Sequence, residues 1–195
     1  LIHPRYVLTA AHCVACRTVD DTSVVLGKHK LKTNKIEEEL ANIHFYPKYK
    51  SINNEDIAIL ELEDAVNFGP KLNAICLPSN PSSLYEGETM IIAGWGGTEE
   101  LTTSDKLLEA SVEVIPNAEC KEWNGYDFLK SINHHITNTN YVCIIFSFHL
   151  CTFTKGRQSH CGGDSGGPLV MQDLSNGEGN IITFLLSQEL RVSQS

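Results

Sequence analysis

One serine of this chain lies in a local setting that favours nucleophilic chemistry. Ser165 occurs in the sequence G-D-S-G-G-P from Gly163 to Pro168, where the flanking glycines predict a sharp, uncrowded turn. Successive N–H groups of such a turn can converge on one point and bind a developing oxyanion. A serine hydroxyl remains a poor nucleophile until a base removes its proton, so we expect a histidine and a supporting acid elsewhere.

A candidate base and a candidate acid both precede this serine. His12 follows the mainly apolar run from Val7 to Ala11, and Asp56 opens a strand-like apolar segment, I-A-I-L. The order histidine, aspartate, serine is one of the known chain orders of the Ser-His-Asp triad, and it differs from that of subtilisin and the α/β-hydrolases. The pattern predicts His12 as general base, Asp56 as the group that orients it and Ser165 as nucleophile.

Longer signatures around these residues resemble the chymotrypsin-like (trypsin-like) serine endopeptidases. The matching stretches are L-T-A-A-H-C ending at Cys13, D-I-A-I-L beginning at Asp56, G-D-S-G-G-P-L-V beginning at Gly163, A-I-C-L-P at 74–78 and A-G-W-G at 93–96. The resemblance covers the chain from residue 1 to about residue 170. It implies peptide-bond hydrolysis through an acyl-enzyme intermediate.

The residues and the resemblance lead to the same fold class. Short strand-like segments separated by turn signals predict an all-β protein. The resemblance implies two six-stranded antiparallel β-barrels with the active site between them, the N-terminal barrel half over 1–80 and the C-terminal half, with a divergent tail, over 81–195. It also implies that the chain is truncated at both ends, since the family's I-V-G-G start and its terminal helix do not occur in the sequence.

Several elements are predicted from local patterns. Strands are expected at 24–27, 57–60, 90–93 and 107–115, the last with alternating apolar residues on one face. Residues 33–42 are predicted as a polar, acidic surface excursion, 78–87 as a linker and 117–123 as a short helix. Residues 142–150 interrupt the family pattern with a strongly apolar insertion, which is typical of a retained intron or an error in the gene model. An added strand or a buried loop is the structural alternative.

The resemblance also implies further site residues. The N–H groups of Gly163 and Ser165 correspond to the oxyanion hole, and Asp164 corresponds to the residue that pairs with a newly cut N-terminal amine on activation. Ser159, two residues before Cys161, corresponds to the specificity position. Because Ser159 carries no charge, cleavage after basic residues is disfavoured and a preference for large apolar residues is expected.

Seven cysteines in 195 residues predict an oxidising, extracellular compartment for a secreted protein. The resemblance suggests a disulfide between Cys120 and Cys151, with Cys143 as the rival partner. Cys76 corresponds to a position that binds an upstream propeptide or regulatory domain in some relatives. Peptide or protein substrates are the expected partners, together with protease inhibitors.

Composition disfavours several other classes of protein. Fifteen basic and 24 acidic residues give a formal charge of -9, and the basic residues do not cluster, so no nucleic-acid partner is expected. The apolar runs are too short to span a membrane, and no metal or cofactor motif is evident. The rival to a protease is a non-catalytic protease homologue that serves as a binding or regulatory module.

Overall fold

The computed structural model describes residues 1–32, 36–50, 55–78, 85–98, 103–116, 141–144, 150–153, 163–173 and 180–185. Within this part of the chain, strands dominate and helix is limited to one turn of α-helix and one 3₁₀ turn. The strands form two antiparallel sheets. This arrangement confirms the prediction of an all-β, chymotrypsin-like fold.

The elements follow one another in two sets. The first set comprises β1 Tyr6–Thr9, α1 Ala11–Val14, a 3₁₀ turn at Val19–Asp21, β2 Ser23–Leu26, β3 Ile36–Phe45 and β4 Ala58–Leu62. The second set comprises β5 Thr89–Gly94, β6 Leu108–Ile115, β7 Tyr141–Ile144, β8 Leu150–Phe153, β9 Pro168–Asp173 and β10 Asn180–Leu185. The strands predicted at 24–27, 57–60, 90–93 and 107–115 are therefore confirmed.

The first sheet has the strand order β1-β4-β3-β2. Its central strand β4 alternates between buried and half-buried residues, with Ala58, Leu60 and Leu62 facing the core. Ala11 and Val14 of α1 belong to the same apolar cluster. The short helix that carries His12 is therefore fixed by packing on β4, because burial of these side chains is the main favourable term available to so short a helix.

The second sheet has the order β10-β9-β5-β6-β8-β7. Its core comprises Met90 and Ile92 of β5, Val112 and Val114 of β6, and Leu169 of β9. On β5 and again on β6, the two core residues are two positions apart, as expected for strands with one buried face. Since β9 begins at Pro168, just after the serine turn, this core anchors the turn to the sheet.

Two expectations about elements require correction. Residues 36–42 lie within β3 and not in a surface excursion, because pairing of the three glutamates with β2 and of the following residues with β4 outweighs the low strand propensity of glutamate. The sequence from Leu1 to Cys13 also predicts a single strand that ends in a turn at the histidine, but the strand is limited to Tyr6–Thr9 and α1 follows it.

Other expectations fall partly or wholly outside the described residues. These include the short helix at 117–123 and the linker, whose residues 79–84 contain the predicted boundary between 1–80 and 81–195. In the apolar insertion, backbone of β7 pairs with β8, with Cys143 opposite Cys151 in the register.

Candidate active site

His12 lies on α1, immediately after the end of β1. Ala11 and Val14 point into the core of the first sheet, and the His12 side chain is 22% exposed. The small residues Ala10 and Ala11 are both fully buried, so the backbone can turn from strand to helix without displacing the core. The helix thus presents one imidazole at the surface of a packed scaffold.

Asp56 binds His12 through both of its carboxylate oxygens. His12 Nδ1 lies 2.6 Å from Asp56 Oδ2, and the backbone N–H of His12 donates to Oδ1 at 2.8 Å. The Asp56 side chain is fully buried, where a carboxylate requires such donors. Because the carboxylate accepts the Nδ1 hydrogen, the neutral imidazole keeps its lone pair on Nε2.

A tight turn delivers Asp56 to this position. Glu55 has a positive φ of 51°, and its carbonyl accepts a hydrogen bond from Ile57 N–H at 2.8 Å. A left-handed backbone at a non-glycine residue costs on the order of 1–3 kcal/mol, so the surrounding structure must hold it. The Oε2 atom of Glu55 is also buried and has no hydrogen-bond partner in the part of the chain that the structure describes. The sequence contains no signal that predicted this strained residue.

The Ser165 turn has the shape that its glycines predict. Gly163 and Gly166 have φ values of 100° and 78°, and Gly167 N–H donates to the carbonyl of Asp164 at 2.9 Å. The Ser165 hydroxyl oxygen is buried and has no hydrogen-bond partner among the described residues. Catalytic hydrogen bonds are often formed only in the substrate complex, so a hydroxyl without a partner is compatible with a nucleophile.

The serine turn packs directly against the end of β1 and against α1. Cys13 Sγ lies 3.5 Å from both His12 Nε2 and the carbonyl oxygen of Ser165. A Cβ atom added at Gly166 would lie 2.6 Å from Thr9 Oγ1, closer than real Cβ contacts allow. The structure therefore brings His12, Asp56 and Ser165 into one region, where residues from the two sheets meet.

The structure describes only some of the other predicted site residues and cysteines. The Asp164 carboxylate accepts a hydrogen bond from Gly96 N–H at 2.8 Å. Ser159, Cys161 and Cys120 lie outside the described residues. Cys16 and Cys76 are exposed and have no disulfide partner within the described ranges.

Tyr49 is a neighbour of the site that sequence reasoning did not identify. It packs against the core of the first sheet and stacks on Phe45, with the ring centroids 6.0 Å apart. Burial is the main cause that raises the pKa of Tyr49, and the charge of Asp56 adds to it, followed by Cys16 and Cys13. The charge of Asp56 therefore acts on this phenol, an effect that the spacing along the chain does not reveal.

Metal-binding clusters and membrane-spanning helices are both absent from the described ranges. Their His, Cys, Asp and Glu side chains form no group of three suited to a metal ion. None of their helices has the length and apolar character needed to cross a bilayer.

Comparison with known proteins identifies similar chains. Residues 1–182 match the family model described as Trypsin. Similar chains include melanization protease 1 of Drosophila melanogaster (32% identical over 92% of this chain and 48% of that protein) and the venom serine protease Bi-VSP of Bombus ignitus (36% over 88% and 46%). Clotting factor C of Tachypleus tridentatus is 33% identical over 91% of this chain and 18% of that protein. The chain thus spans about half the length, or less, of these curated relatives.

Proposed function

The chain belongs to the trypsin family of serine proteases, and from this membership we propose that it hydrolyses peptide bonds with Ser165 as nucleophile. The observation that carries the proposal is the contact between His12 and Asp56, where a buried carboxylate binds Nδ1 at 2.6 Å. This contact leaves Nε2 as the basic nitrogen of the imidazole. The serine turn packs beside that nitrogen, through Cys13.

The proposed mechanism has two stages. Ser165 Oγ attacks the carbonyl carbon of the substrate while His12 Nε2 accepts the hydroxyl proton, and Asp56 stabilises the resulting imidazolium. The N–H groups of Gly163 and Ser165 bind the oxyanion of the tetrahedral intermediate. His12 then donates its proton to the departing amine, and water, activated by the same imidazole, hydrolyses the acyl-enzyme.

The proposed specificity depends on Ser159. A neutral side chain at the specificity position offers no counter-charge to lysine or arginine, because a buried ammonium or guanidinium group requires a paired anion. We therefore propose a preference for large apolar residues before the cleaved bond. Kinetic comparison of peptide substrates that differ only in that residue tests this preference.

The proposed setting is extracellular. Protein or peptide substrates and protease inhibitors are the partners that this activity requires. Cys76 is exposed, which supports its proposed role as the attachment point for an upstream propeptide or regulatory domain. Peptide mapping of the non-reduced protein tests the proposed disulfide of Cys76 and the one proposed between Cys120 and Cys151.

Labelling with a fluorophosphonate tests the proposed activity directly. Ser165 Oγ displaces fluoride from phosphorus, His12 accepts the hydroxyl proton and the protein gains the mass of one phosphonyl group. We expect one label on the wild-type chain and none on Ser165→Ala, with Ser104→Ala as a control that still labels. A wild-type chain that folds cooperatively and does not label contradicts the proposal.

A non-catalytic role is the second candidate. It is favoured by the Ser165 hydroxyl, which has no hydrogen-bond partner among the described residues, and by Asp164, whose carboxylate is bound by Gly96. Such a homologue would unfold cooperatively, bind a protein partner and remain unlabelled. The same labelling experiment therefore distinguishes the two functions.

A further inference from the structure

The residue after His12 is a cysteine whose side chain reaches the same imidazole. Cys13 Sγ lies 3.5 Å from His12 Nε2, the ring nitrogen that does not bind Asp56. Because Asp56 accepts the Nδ1 hydrogen, Nε2 is the acceptor in this contact and the Cys13 thiol is the donor. The contact uses the one lone pair of Nε2, which has to accept the proton of Ser165 in peptide hydrolysis.

The same thiol contacts the nucleophile only through its backbone. Cys13 Sγ lies 3.5 Å from the carbonyl oxygen of Ser165, whereas the Ser165 hydroxyl has no hydrogen-bond partner among the described residues. The thiol thus binds the acceptor that the hydroxyl needs. A thiol within hydrogen-bond distance of a base is also activated as a nucleophile, since the base can accept its hydrogen.

A second cysteine, Cys16, lies one turn further along the chain. The right-handed turn of α1 continues past its end, with Ala15 at a φ of -61° and a ψ of -26° and a hydrogen bond from Arg17 N–H to the Val14 carbonyl at 3.0 Å. Residues three apart in such a turn have Cα atoms about 5 Å apart, within the range of about 4.4–6.8 Å that a disulfide spans. Both Cys13 and Cys16 are exposed, so a small reagent can reach them.

Both cysteines act on the same neighbouring side chain. Burial is the main cause that raises the pKa of Tyr49, followed by the charge of Asp56. The charges of Cys16 and Cys13 raise this pKa further. Because the interaction between two charges weakens with distance and with screening, both sulfur atoms lie in the same region of the surface as this phenol.

We propose that Cys13 and Cys16 form a thiol–disulfide exchange site, whose substrates are small-molecule disulfides such as oxidised glutathione. In the reduced chain, the Cys13 thiol donates to His12 Nε2. A disulfide sulfur carries no hydrogen, so oxidation removes this donor and makes Nε2 available to Ser165. The exchange chemistry is independent of catalysis, whereas its effect on Ser165 rests on the proposed peptidase function.

The proposed exchange has two steps. His12 Nε2 accepts the Cys13 hydrogen, and the thiolate attacks one sulfur atom of the small disulfide. The sulfur–sulfur bond of the reagent breaks, and its other half leaves and takes the proton from His12. Cys16 loses its proton to solvent and attacks Cys13 Sγ, which forms the internal disulfide and releases the second half of the reagent as a thiolate that solvent protonates. The two cysteines are oxidised by two electrons in total, and the reagent is reduced to two thiols.

Alkylation with iodoacetamide tests the contact between the thiol and the imidazole. In the reduced chain, Cys13 should react about tenfold faster than Cys76, because His12 accepts its hydrogen as the carbon–sulfur bond forms and iodide leaves. Cys76 is also exposed and is the matched comparison. His12→Ala should abolish the difference, as measured by mass spectrometry of the two peptides. Equal rates at the two cysteines of the wild type overturn the proposal.

Incubation of the reduced chain with oxidised glutathione tests the exchange itself. Peptide mapping should find a disulfide between Cys13 and Cys16. Cys16→Ala should stop at a mixed disulfide between Cys13 and glutathione, and Cys76→Ala, the control, should still form the internal disulfide. A disulfide that joins Cys13 to any other cysteine of the chain, or a Cys13 that is not oxidised, overturns the proposal.

The rate of fluorophosphonate labelling measures the effect on Ser165. Oxidation should raise the rate in the wild-type chain by about tenfold or more, because Nε2 is then available as general base. Cys13→Ala lacks the thiol, so it should label at the rate of the oxidised wild type with or without glutathione. A response to glutathione that persists in Cys13→Ala originates from other cysteines and overturns the proposed effect.

These readouts separate the two proposals. If the wild-type chain does not label in either redox state, the peptidase function fails. The alkylation rates and the peptide map then still decide whether the exchange site exists. If the chain labels at the same rate in both states, the peptidase function stands and the proposed control of Nε2 by Cys13 fails.

Discussion

Replacing Asp56 with asparagine changes the charge of the group that binds His12 and preserves its size. Asparagine presents an NH₂ group or an oxygen toward Nδ1, and the wrong tautomer of the imidazole becomes available. On the proposed function, we expect kcat to fall on the order of 10⁴-fold with little change in KM. Steady-state kinetics on a peptide ester or amide measures both constants.

The matched control for this change is Asp64→Asn, which removes a carboxylate from an exposed position shortly after Asp56 in the chain. It should leave both constants within twofold of the wild type. A comparable loss in both variants would attribute the effect to net charge and not to the imidazole.

Tyr49 predicts a dependence of stability on alkaline pH. Its pKa is raised above the ordinary value of 10.0, mainly by burial and further by Asp56, so the folded state holds the phenol proton more tightly than the unfolded state. Its contribution to the free energy of unfolding is fully present below about pH 10 and is lost as pH rises through the folded-state pKa. Tyr49→Phe should therefore flatten the decline of stability above pH 10.

Urea denaturation of both proteins at several values of pH between 8 and 11 measures this difference. Tyr46→Phe, at an exposed tyrosine, serves as the comparison and should retain the decline. If Tyr49→Phe declines as steeply as the wild type, the phenol of Tyr49 is not the group responsible.

At the residue scale, the sequence predicted the pairing of two candidate catalytic side chains better than it predicted what surrounds them. His12 and Asp56 were identified from motifs, and the structure places them in contact. Glu55 and Tyr49 were not identified, because a positive φ and packing on the core of a folded sheet leave no local pattern in the sequence. The hydrogen bond from Gly96 to Asp164 likewise joins two motifs that are 68 residues apart.

At the scale of elements, β9 links the serine turn to the core of the second sheet. Leu169 is fully buried and pairs with Ile92 on β5. Leu169→Ala should lower the free energy of unfolding by about 2–5 kcal/mol, through lost burial and the cavity left behind. That is a large share of a total that is typically about 5–15 kcal/mol.

Thermal or urea unfolding measures the loss, with Leu108→Ala as the control. Leu108 is 50% exposed on β6, so its truncation should cost much less. Equal losses of stability in Leu169→Ala and Leu108→Ala would contradict the burial of Leu169 on the strand that follows the serine turn.

Elements with one clear apolar face were predictable, and elements held by their neighbours were not. The segment 107–115 alternates in the sequence, and Val112 and Val114 of β6 are buried as predicted. In β3, the consecutive glutamates suggested a solvated excursion, yet pairing on both sides makes a strand of ten residues. The information that decides this case lies in β2 and β4, outside the segment itself.

On the scale of the whole molecule, Gly166 marks the contact between the serine turn and the first sheet. Gly166→Ala adds a methyl group 2.6 Å from Thr9 Oγ1 at a φ of 78°. Gly27→Ala is the matched control, because Gly27 also has a positive φ, 64°, but nothing lies within 4 Å of an added Cβ. The control should cost about 1 kcal/mol of stability, the price of the left-handed backbone alone.

Gly166→Ala should cost about 1–3 kcal/mol more than this control, since overpacking adds to the backbone strain. Adding Thr9→Ala should recover part of the excess by removing the hydroxyl. Equal losses in Gly27→Ala and Gly166→Ala, measured by chemical denaturation, would mean that the two sheets do not pack closely at this turn.

The chain order of the contacting groups has a consequence for protein synthesis. His12 contacts Asp56 across 44 residues, whereas Cys13 contacts the carbonyl of Ser165 across 152. Domains fold from the N-terminus as they leave the ribosome, so the base and its acid can assemble long before the nucleophile has been translated. On the proposed function, a nascent chain therefore cannot cleave itself or its neighbours before Ser165 has been translated and the serine turn has folded.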